Sequence, residues 1–80
     1  MAKRRYKFTF PEQLIKEPVI YQLGRKFEVV TNIRRAEVRE DTGWVVLELD
    51  GDESQISSGV DWVLSTGVRV DPVGGDVVEG

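Results

Sequence analysis

Apolar and polar residues alternate along this chain in blocks whose period changes from two to about three and a half and back again. From Lys3 to Phe10 the alternation is strict, with Arg5, Lys7 and Thr9 on one parity and Tyr6, Phe8 and Phe10 on the other, which predicts a strand β1 with aromatics inward. Residues 11–17 form a loop that carries Leu14 and Ile15 in a polar setting. A helix α1 is predicted over residues 17–27, with Pro18 in its first turn and Glu17 at the positive end of its dipole. Ile20, Leu23 and Phe27 fall on one side of it with Val19 on the flank, and Tyr21, Gln22, Arg25 and Lys26 face water. Gly24 lies within the apolar stripe, which predicts close approach to the sheet beneath.

The period returns to two over residues 29–39, a second strand β2 whose alternation slips. Val30, Ala36 and Val38 share one parity and Val29 and Ile33 the other, so a bulge is expected between Asn32 and Ala36. Glu40-Asp41-Thr42-Gly43 reads as a hairpin turn with Gly43 in the left-handed region. The strand β3 then spans residues 44–50, with Val45, Leu47 and Leu49 inward and Trp44, Val46 and Glu48 on the opposite face. Gly51 ends it. Asp52 or Ser54 can cap a helix α2 that runs to about Thr66, with Gln55 at capping-box spacing from Asp52. Ile56, Gly59, Val60, Val63 and Leu64 form its buried stripe, Trp62 lies on the flank within reach of α1 or of the chain ends, and Gly67 suits the position after the last turn. A short strand β4 covers residues 68–72, with Pro72 marking an edge.

The order β-α-β-β-α-β, with right-handed crossovers in both βαβ halves, defines an α+β ferredoxin-like sandwich: a four-stranded antiparallel sheet in order 4-1-3-2 with two helices on one face. Residues 1–73 make this domain and 74–80 a flexible C-terminal tail, with disorder expected from Val73 onward. Phe8, Phe10, Leu23, Phe27, Leu47, Leu49, Val60 and Val63 are the expected core.

Composition then removes chemistries rather than adding them. The 80 residues contain neither cysteine nor histidine, so disulfides, thiolate zinc sites and the commonest general base are absent, and neither an enzyme nor a resident cofactor is expected. The apolar runs are far shorter than the roughly 20 residues of a membrane helix. A cytoplasmic protein without membrane insertion is expected. Eleven basic against 14 acidic side chains, a net charge of −3, argue against general nucleic-acid binding. Lys3, Arg4, Arg5 and Lys7 could form a phosphate patch, but a charged outer strand face is the commoner meaning. Base stacking of the RNA-binding kind would need exposed aromatics on β1 and β3, and the parity leaves Trp44 as the candidate. A metallochaperone of this fold would need a Cys-x-x-Cys that the chain lacks.

Asn32 is the only asparagine in the chain, in mid-strand among Val, Ile and Ala. It is either a solvated edge residue or one with a hydrogen-bonding task.

The residues also resemble a known family, the NIL domain, best known as the C-terminal regulatory domain of methionine ABC-importer ATPases. The resemblance rests on Phe10 followed by Pro18, on Arg25-Lys26-Phe27, on Asn32-Ile33 with Ala36, and on Gly43, Leu47 and Gly51. It continues through Asp61-Trp62-Val63 and Gly67-Val68-Arg69-Val70, covering about residues 6–73. Two departures stand out: Arg34 replaces the third letter of the family's Asn-Ile-Leu triplet, and Lys16-Glu17 replaces the short acid often found before the helix proline.

The resemblance implies a regulatory module that binds methionine or a similar amino acid at or near a two-fold interface, with Asn32 at the site. An amino acid also needs an apolar wall and a partner for its carboxylate. Leu14, Ile15 and Ile33 are candidates for the first, and the start of α1 at Pro18 and Val19 for the second. A weak homodimer through the unguarded edge of β2 is expected, and a transporter or electron-transfer protein would be the partner in trans. The alternative is an interaction or assembly module without a ligand, with RNA binding a more distant one.

Overall fold

The computed structural model describes residues 1–74. They form β1 (Ala2–Phe10), a 3-10 turn (Glu12–Leu14), α1 (Val19–Lys26), β2 (Val29–Val38), β3 (Gly43–Gly51), α2 (Glu53–Ser65) and β4 (Arg69–Pro72). The sheet order is β2-β3-β1-β4, every neighbouring pair antiparallel, as the sequence pattern predicts. Register assigns the two faces. Phe8 pairs with Val45 and Tyr6 with Leu47, placing these beneath the helices, while Arg5 pairs with Glu48 and Thr9 with Trp44 on the open face.

The core comprises Phe8, Leu23, Leu47, Leu49 and Val63, all without exposure, together with Val19, Val29, Val45, Ile56 and Val68. Phe10, Phe27 and Val60, expected among the most buried, are only partly covered and pack around this centre. Val19, expected on the flank of α1, is buried, whereas Ile20 is half-buried. The helix starts two residues later than predicted. Pro18, at φ −80° and ψ 60°, is the centre of an inverse γ-turn closed by the Val19 N–H donating to the Glu17 carbonyl at 2.8 Å. The stripe of α1 is therefore rotated toward Val19.

Glycine roles differ from expectation. A Cβ at Gly24 would meet nothing within 4 Å, so Gly24 is exposed rather than a close-approach point. That role belongs to Gly59 on α2, where a Cβ would lie 2.8 Å from Leu23 Cδ1. Gly43 does not have positive φ. It opens β3, paired with both Phe10 and Val38, and among the described residues the left-handed one is Gly67 at φ 101°, after α2 as predicted. Gly51 closes β3 instead of breaking it, and its lack of a side chain admits the Glu28 carbonyl, which would be 2.7 Å from a Cβ.

The capping box at α2 does not form. Asp52 holds the cap position without a side-chain bond, and Gln55 Oε1 instead accepts the Glu28 N–H at 2.8 Å, tying α2 to the start of β2. Leu64, expected in the buried stripe, is 48% exposed. Trp62 packs on Phe27 at the end of α1, with ring centroids 6.3 Å apart. Val73 is also ordered against the sheet, its N–H donating to the Arg5 carbonyl at 3.1 Å. The rest of the predicted flexible tail, beyond Gly74, lies outside the described residues.

Candidate functional site

The site follows from a mismatch of lengths. The 8 residues of α1 extend about 12 Å at 1.5 Å per residue, while the 10 residues of β2 extend about 33 Å. One short helix cannot roof so long an outer strand. β2 is buried at Val29, where α2 is tied down, but its outer part is left open, with Ile33 at 57% and Val38 at 72% exposure. The bulge occurs where the parity slip predicts it, as a register shift between Ile33 and Arg35. It returns Ala36 and Val38 to the helix-side face, paired with Val45 and Gly43.

A pocket of about 240 Å³ lies in that gap. β2 contributes Ile33, Ala36 and Val38; β1 and β3 contribute Phe10, Gly43, Trp44 and Val45; the loop and α1 contribute Ile15, Glu17, Pro18, Val19, Ile20 and Tyr21. The loop is held by its own backbone, with Leu14 N–H donating to Pro11 O at 2.9 Å and Glu17 N–H to Leu14 O at 3.1 Å. Tyr21 presents its hydroxyl to Arg25 Nη1, which donates to it at 2.8 Å.

Of the residues expected at a ligand site, Ile15, Pro18, Val19 and Ile33 line this one pocket together. Leu14 does not: it packs on the core, near Gly67 at the end of α2. Asn32 does not either. It pairs with Glu48 on the face away from the helices and is exposed, adjacent to Ile33 in sequence but on the other side of the sheet. The start of α1 offers fewer donors than an ordinary helix N-terminus, because Pro18 has no N–H and that of Val19 is taken by Glu17 O. Sequence reasoning missed Ala36, Val38 and Tyr21 as lining residues. The parity of Ala36 and Val38 was readable, but their role depends on how far α1 reaches.

Three of the four basic residues of β1 have intramolecular partners. Arg4 pairs with Glu53, Arg5 Nε lies 3.6 Å from Glu48 Oε2, and the Lys7 ammonium stands 4.9 Å from the centroid of the Trp44 ring. The stacking face of Trp44 thus carries a cation. Among the described residues, no group of three or more acidic side chains is placed to hold a metal ion, and no helix is long and apolar enough to cross a membrane.

The sequence profile of the NIL domain matches residues 4–72. The chain belongs to the NIL domain family. NIL domains are regulatory rather than catalytic, and the resemblance seen in the motifs extends over nearly the whole described chain. No curated protein sequence matches it. Among solved structures, the fold is similar to the C-terminal domain of an ABC transporter/ATP-binding protein from Enterococcus faecalis. The two share a TM-score of 0.78 and 17% identity, with 89% of this chain and 83% of that chain covered. At that identity the likeness is one of fold.

Proposed function

We propose that this NIL domain is a small-ligand regulatory module whose ligand, an amino acid of the methionine type, seats its side chain in the pocket between α1 and β2. The observation that carries this reading is the uncovered apolar lining of Ile33, Ala36 and Val38 opposite Ile15 and Val19. Exposed apolar surface on a small domain marks a place where something binds. At about 240 Å³ the pocket is smaller than those that hold drug-sized molecules, which suits a single amino acid. Asn32 enters as an edge residue that meets whatever covers β2, such as a second copy paired across the edge. The module acts in the cytoplasm on a transporter or electron-transfer partner.

The same edge supports a second reading, an assembly module without ligand, because Val30, Ile33 and Val38 are all more than half exposed and no proline guards β2. Amide shifts on adding methionine separate the two. The ligand reading expects them at residues 10–20 and 30–36, and expects Ala36→Phe, which fills the pocket with a ring, to abolish them. A silent titration at several millimolar of methionine and other amino acids leaves the assembly module.

A further inference from the structure

The pocket has a charge asymmetry that the family resemblance does not supply. Glu17 is the one acidic or basic side chain among its lining residues, and the remainder are apolar or aromatic apart from Gly43. No ion-pair partner of Glu17 is present among the described residues. Its backbone is pinned on both sides, by its N–H to Leu14 O and its carbonyl to Val19 N–H, so its side chain leaves from a fixed point at the rim. The nearest anion-binding device, the start of α1, is depleted: Pro18 lacks a donor and Val19 has spent its own. Arg39, just beyond Val38, is engaged by Glu37, with Nε donating to Oε2 at 2.5 Å. Lys16, next to Glu17, is exposed and outside the lining.

An apolar pocket with a carboxylate at its rim complements an apolar chain with a positive end. We infer that the pocket recognises the ammonium end of its ligand through Glu17, and prefers small primary amines with a short apolar side chain over the corresponding zwitterions and acids. The inference rests on the reading of the pocket as the ligand site and adds the chemical class it takes. A free carboxylate on the ligand is tolerated where it points to solvent and opposed where it approaches Glu17.

Three probes of one side chain test this: methioninol, which keeps the ammonium and replaces the carboxylate by an alcohol; methionine; and N-acetylmethionine, which keeps the carboxylate and loses the ammonium. Each is titrated into the whole chain while the backbone amides of Ile15, Ile20, Ile33 and Val38 are followed. Methioninol should bind about fivefold tighter than methionine, the size expected of one solvent-exposed charge contact, and N-acetylmethionine should be the weakest. Glu17→Gln should remove most of the difference between the first two while leaving the other amide positions in place, because its side chain supports no contact in the fold. Glu17→Asp should restore part of it. N-acetylmethionine binding as tightly as methioninol, or a methioninol–methionine difference undiminished in Glu17→Gln, overturns the charge rule and keeps the pocket. No shift at these amides with any probe overturns the pocket reading and the inference with it.

Discussion

β2 and β3 are hydrogen-bonded to each other for almost their whole length, yet they are built for different purposes. Along β3 exposure alternates without a break, every second residue from Gly43 to Gly51 buried and the others half-buried. Along β2 only Val29 is buried, although Ile33 sits directly opposite the fully buried Leu47. Their sequences are about equally apolar, five residues of ten in β2 and five of nine in β3, so apolar content does not separate them. Position does. β3 lies between two strands and beneath both helices, whereas β2 is an edge that runs past the end of an eight-residue helix. In a domain this small, ten apolar residues complete the core, and the apolar side chains left over on the edge strand become a surface for something else.

The sharpest break of the comparison is the pair Leu47→Ala and Ile33→Ala. Truncating Leu47 removes a fully buried side chain and should lower stability by about 3 kcal/mol. The same change at its neighbour Ile33 should cost less than about 1 kcal/mol, because over half of that side chain is already in water. Urea unfolding of both variants decides it, and equal losses would mean that β2 is as much core as β3.

Glycines give the next test, with opposite signs. Gly59→Ala pushes a methyl against Leu23 in the closed half of the molecule and should cost about 1–2 kcal/mol even after the gain in helix propensity. Gly24→Ala adds its methyl in open space and should raise stability by about 0.5–1 kcal/mol. Thermal melts of the two variants should move in opposite directions. Asn32→Ala, at the exposed edge, should change monomer stability by no more than about 0.5 kcal/mol. If two copies meet across β2, the same variant should shift the sedimentation profile at high protein concentration, and an unchanged profile would place Asn32 outside that contact.

The smallest effect concerns pH. Tyr6, paired with Leu47 and half-buried, has its phenol pushed above its ordinary value of 10 mainly by burial; Glu53 adds to the rise and the Arg4 charge opposes it. A raised value means the folded state holds the proton more tightly. The resulting stability is fully present below pH 10 and lost as pH rises through the folded value. Tyr6→Phe should flatten the alkaline limb of the unfolding curve above pH 10 and leave the neutral region with the same slope.

The elements, their order and the sheet topology were legible because the period changes from two to 3.6 and β1, β3 and β4 each keep their parity. Even the bulge in β2 was visible as a slip between Asn32 and Ala36. What was not legible depended on facts that no local pattern carries. The γ-turn at Pro18 decides where α1 begins, and so whether Val19 or Ile20 faces inward. Gly24 and Gly59 both lie in apolar helical stripes, and only the contact between the two helices tells which one needs to be glycine. Gln55 had the spacing of a capping box, but the free N–H of Glu28 competed for it. For the site, the family motif drew attention to Asn32 and Ile33 together, while the pleat sends neighbouring side chains to opposite faces and leaves Ile33 with the pocket.

Whether the open half of β2 takes a ligand is decided by calorimetric titration of methionine into the parent chain and Ala36→Phe, run side by side. A ligand site there gives a saturable heat with the parent, weak enough to need millimolar ligand, and none with the variant, whose unfolding curve stays like the parent's. Equal heats from both proteins, or none from the parent, would contradict it.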